Sequence, residues 1–60
     1  MKVYKKTAHV VAPISDAKGF EEAVRETMGT FQREGLQVEI QYQQSIAGYS
    51  AFVLGYEEKG

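Results

Sequence analysis

Sixty residues hold one domain, spanning 1–60, and a short chain buries so small a share of its surface that the core is marginal by itself. Seven basic and eight acidic residues leave a net charge of −1, without the basic footprint of a nucleic-acid binder or the acidic excess of a nucleic-acid mimic. Cysteine is absent and His9 is the one histidine, which excludes disulfides and thiolate metal sites and leaves self-association as the expected source of added stability.

Residues 2–12 alternate as a strand does, with Tyr4, Ala8, Val10 and Ala12 expected on one face and Val3, Lys5, Thr7, His9 and Val11 on the other. Lys2, Lys5 and Lys6 are followed by this alternation, not by a greasy run, so no signal peptide is read here. No apolar stretch approaches membrane length anywhere, and a cytoplasmic protein without membrane contact is expected. Pro13 ends the strand because it lacks a ladder donor and restricts the residue before it. Ser15 and Asp16 then offer two helix-capping side chains in succession.

From Ala17 to Glu34 the period becomes helical. Phe20, Val24, Met28 and Phe31 form one apolar stripe, with Ala17, Ala23 and Thr27 beside it. Glu21 stands four residues before Arg25, in the favourable order. Acidic residues in the early turns and Arg33 in the last suit the helix dipole. Gly35 supplies the left-handed stop. Gly19 and Gly29 each weaken the helix by about 1 kcal/mol relative to alanine, so they are expected to mark close packing against the sheet or another chain.

Residues 36–45 show the clearest alternation: Leu36, Val38, Ile40 and Tyr42 face the helix, and Gln37, Glu39, Gln41, Gln43 and Ser45 face away. Ile46-Ala47-Gly48 turns into a third strand, Tyr49 to Glu57, that is apolar on both faces. Tyr49, Ala51 and Val53 lie on one side, and Phe52, Leu54 and Tyr56 on the other. Two-sided burial is the mark of a central strand. A right-handed crossover makes the first two strands parallel, and the hairpin makes the third antiparallel to the second. The expected fold is α+β: a βαββ unit with one helix on a three-stranded sheet, third strand central, and the other sheet face uncovered.

The chain carries no glycine-rich phosphate loop, HExxH pair or nucleophile elbow, and no enzyme is expected. Glu21, Glu22 and Glu26 read as solvated helix charge. The uncovered face is instead rich in amides beside tyrosines. Amides both donate and accept, so they can read the edge of a planar heterocycle while a tyrosine stacks on it. His9, Gln41, Gln43, Tyr49 and Tyr56 are the candidate ligand-binding residues, with Gln37, Gln44 and Tyr42 nearby. Lys5, Lys6 and Arg25 are the cations that neighbouring subunits could bring to a phosphate. These residues predict a homo-oligomer that binds or sequesters a small planar ligand between subunits, with no metal. The alternative is an inhibitor that meets a host protein through its open face or an edge strand.

Val3-Tyr4-Lys5-Lys6, the helix opening Phe20-Glu21-Glu22-Ala23-Val24 and the strand end Leu54-Gly55-Tyr56-Glu57 resemble the dodecins. Those are small βαββ proteins that assemble into hollow dodecamers and bind flavin-like ligands between subunits. The resemblance implies a flavin-like ligand, so the small planar ligand expected from the residues is a flavin or a nucleotide. The dodecin pattern also places a flavin-stacking tryptophan near the start of the second strand, and this chain has none. Val38-Glu39-Ile40-Gln41-Tyr42 followed by Tyr49-Ser50-Ala51-Phe52-Val53 is similar, over the hairpin alone, to short proteins of Firmicutes and their phages, some labelled sporulation proteins. That second resemblance implies a phage-type product.

Overall fold

A computed structural model describes residues 1–60 as β1 (Lys2–Pro13), α1 (Ala17–Arg33), β2 (Gln37–Ser45) and β3 (Gly48–Glu58). The sheet order is β1-β3-β2, with β3 antiparallel to both neighbours. The third strand is therefore central, as its two apolar faces require. Its helix-side residues Ala51 and Val53 are among the most buried in the molecule. They join Phe20, Val24 and Phe31 of α1 in one core, ringed by Ala8, Val10, Ala12, Met28, Leu36, Val38 and Ile40.

Both ends of α1 are fixed locally. Asp16 is the cap: its Oδ1 accepts from the Gly19 amide at 3.1 Å. The first turn carries no acidic residue, so the cap does what the sequence assigned to early carboxylates. Gly19 packs against the Asp16 carboxylate, and Gly29 has only Arg33 beside it, so neither glycine marks a helix–sheet contact as expected. At the other end Gly35 takes φ +84°. Its amide donates to the Gln32 carbonyl at 3.0 Å and the Leu36 amide to the Phe31 carbonyl at 3.1 Å, the paired bonds of a Schellman motif. Because its N–H is used in that cap, Leu36 stays out of the ladder and β2 begins one residue later than the alternation suggests.

The close approach of helix and sheet falls at Gly55. A methyl group there would lie 2.9 Å from Leu36 Cδ1 and 3.0 Å from Phe31 Cδ2. Phe31 thus rests on the bare backbone of the central strand, which lets the helix approach the sheet closely there.

One expectation fails in β1. The register runs evenly from Pro13↔Gly48 to Lys6↔Gly55, then jumps to Tyr4↔Tyr56, leaving Lys5 as an extra residue. A bulge of this kind reverses which side each earlier side chain takes. Tyr4 therefore shares the open face with its partner Tyr56, and Val3 turns to the helix side. The sequence alternation had placed both the other way.

Candidate functional site

Register builds the open face row by row. Tyr4, Tyr56 and Gln37 form one row; then come Thr7, Leu54 and Glu39; then His9, Phe52 and Gln41; then Val11, Ser50 and Gln43. Two clusters stand on it. The first is a ring stack, in which His9 lies parallel to Phe52 with centroids 4.3 Å apart and 8° between planes. Phe52 remains 39% exposed, and Gln41 flanks it on the β2 side. Gln43 lies two residues further along the same edge, about 7 Å away.

The second cluster gathers around Glu39. Lys2 Nζ donates to Glu39 Oε1 at 2.8 Å, and Tyr4 Oη donates to Oε2 at 3.2 Å. The Lys2 ammonium also sits 4.9 Å from the centre of the Tyr56 ring, whose neighbour Tyr4 is tilted at 5.8 Å. The electrostatics follow from these contacts. Hydrogen bonds from Lys2 and then Tyr4 hold the Glu39 carboxyl below its usual range. The bond to Glu39 raises Lys2, while partial desolvation and then the Glu39 carboxylate raise Tyr4. The cluster is a fixed ion pair with an aromatic wall.

The sequence-derived candidates separate on this surface. His9 and Gln41 share a row, and Gln43 adjoins them. Tyr56 lies four residues along β3 from Phe52, about 13 Å away, so it belongs to the Glu39 cluster and cannot touch the same small ring. Tyr49 is on the opposite face, stacked on Phe20 at 5.3 Å, and Tyr42 meets Phe20 edge-on at 6.3 Å. The three candidate phosphate cations are all engaged: Lys5 with Glu57 at 3.7 Å, Arg25 with Glu21 at 3.8 Å, and Lys6 with Glu34. Sequence reasoning passed over Phe52, Lys2, Tyr4 and Glu39. Phe52 was visible as an apolar residue on the open face. Lys2 and Tyr4 were hidden by the bulge.

Two clefts lie beyond the ring stack. One of about 380 Å³, between Val11, Pro13, Ser45, Gly48 and Ser50, sits at the hairpin end. The other, about 410 Å³, lies between Gln37, Tyr56 and Glu57–Lys59 at the opposite end. The stack itself lies between them on the open sheet face, in neither cleft. No group of three or more histidine or acidic side chains is gathered to hold a metal, and no helix is long and apolar enough to cross a membrane. Comparison with protein-family models, curated proteins and solved structures finds no match.

Proposed function

We propose that the protein is a non-enzymatic homo-oligomer that binds a small planar ligand, a nucleotide or a flavin, on its open sheet face where copies meet. The observation that carries this reading is the His9–Phe52 stack with Gln41 in the same row. An exposed ring offers a surface for a heterocycle, and an adjacent amide offers a donor and an acceptor for its edge. Ligand sites are normally concave. An open platform becomes one when a second copy closes over it, which is why the ligand and the oligomer belong to one proposal. In this reading Phe52 takes the stacking role that dodecins give to tryptophan, and Gln43 extends the amide edge. Tyr56 serves a neighbouring subsite with Lys2 and does not stack on the same ring.

Native mass spectrometry tests both halves. The expected result is an oligomer that gains flavin or nucleotide mass, with flavin fluorescence quenched on binding and the quenching lost in Phe52→Ala. A monomer that stays free of ligand up to millimolar nucleotide and flavin would remove the reading.

A further inference from the structure

The two edges of the sheet are built differently. β1 has its first half interrupted by the Lys5 bulge, carries Lys2, Lys5 and Lys6, and ends in Pro13. Each of these devices keeps a foreign strand from pairing. β2 has none of them. It runs Gln37–Ser45 in unbroken register with β3, with no proline, no lysine and one charge, Glu39. Its outer backbone donors and acceptors are an open template.

We propose that β2 pairs antiparallel with β2 of a second copy across a two-fold axis centred on Gln41, making a continuous six-stranded sheet. From the proposed function this takes only that the protein self-associates. A two-fold axis normal to the sheet keeps each residue on its own face. Residues opposite each other must then have the same parity, so some residue must face itself across the axis. Centring on Gln41 pairs all nine residues of β2, since it is the midpoint of Gln37–Ser45. It sets Glu39 opposite the Gln43 amide of the other copy, whereas centring on Glu39 would place two carboxylates together.

The helix side agrees. α1 packs over β1 and β3 more than over β2, so the flank of β2 is left partly bare. Tyr42 there is 64% exposed although it sits on the helix side of the sheet. In the proposed register it lies opposite Ile40 of the second copy and each covers the other. On the open side the row becomes His9, Phe52, Gln41, then Gln41, Phe52 and His9 of the second copy, two ring stacks flanking an amide pair.

The absence of native cysteine makes the test clean. A short bifunctional thiol reagent should convert Gln41→Cys to a covalent dimer. Glu39→Cys and Gln43→Cys should not cross-link alone but should do so when mixed. Gln41→Lys, which sets like charges opposite each other, should at least halve the mass seen by light scattering while its circular dichroism stays that of the folded chain. An oligomer that resists Gln41→Cys cross-linking, yet cross-links through Val11→Cys, would overturn the β2 pairing and leave the homo-oligomer standing. A monomer at every concentration would overturn both, and would leave the edge to a foreign strand.

Discussion

Phe31 and Phe52 stand on opposite faces of the same sheet, and their surroundings define what each face does. Phe31 is 7% exposed, pressed onto Gly55 and roofed by its own helix. Phe52, 39% exposed, lies between the His9 ring and the Gln41 amide with no helix over it. The tyrosines divide in the same way: Tyr49 is closed in by Phe20, whereas Tyr56 lies under an ammonium group. One residue type thus builds a core on one side and a contact surface on the other, and the difference is set by strand parity and by where the single helix lies.

The sharpest way to break this comparison is to truncate each phenylalanine. Phe31→Ala should cost about 3–5 kcal/mol, read as a lower urea midpoint. Against a total of about 5–15 kcal/mol for a native domain, that leaves much of so small a protein unfolded. Gly55→Ala attacks the same contact from the strand. Its methyl would crowd Phe31 and Leu36, and overpacking of this kind costs about 1–3 kcal/mol. Phe52→Ala should change stability by about 1 kcal/mol or less, since half-exposed surface is lost, but should abolish flavin quenching. If Phe52→Ala unfolds the chain as readily as Phe31→Ala, the open face is core and the division between the faces is wrong.

Glu39→Gln should have the smallest effect at neutral pH and a distinctive pH signature. The Glu39 carboxyl titrates below the ordinary value of 4.5 when folded, so the stability it supplies is present above that value and lost as pH falls through the lowered one. Lys2 and Tyr4 are held above 10.5 and 10.0, so their contributions are present below those values and lost as pH rises past them. The gap between wild type and Glu39→Gln should therefore be widest between those limits and close on the acid side, as thermal unfolding across pH would show. In the variant the Tyr4 phenolate should also form at lower pH, visible in ultraviolet absorbance.

Most of the fold was legible because alternation and punctuation agree. β2 reads cleanly, its turn fixes the hairpin register, and β3 can be apolar on both sides only in the centre. The site was legible in part. His9 and Gln41 lie on a face the alternation identifies, but their meeting around Phe52 depends on β1–β3 register, which a long-range pairing sets and no local signal encodes. Tyr49 has the parity of Ala51 and Val53, and that parity, not its aromatic ring, decides its surroundings. Tyr4 and Val3 were misplaced because Lys5-Lys6 offers no glycine or polarity change to mark a bulge.

That bulge separates two parts of the chain that would otherwise be locked together. Residues from Lys6 onward hold their phase against the core, while those before Lys5 take theirs from one extra residue. Removing Lys5 would set Tyr4↔Tyr56 directly beside Lys6↔Gly55, the spacing of a regular ladder, with Lys2 and Tyr4 still on the open face, Val3 still on the helix side, and Ala8, Val10 and Ala12 unmoved. That corner can lose a single codon without changing which side chains it presents, a change of length that elsewhere in a strand would turn the core inside out.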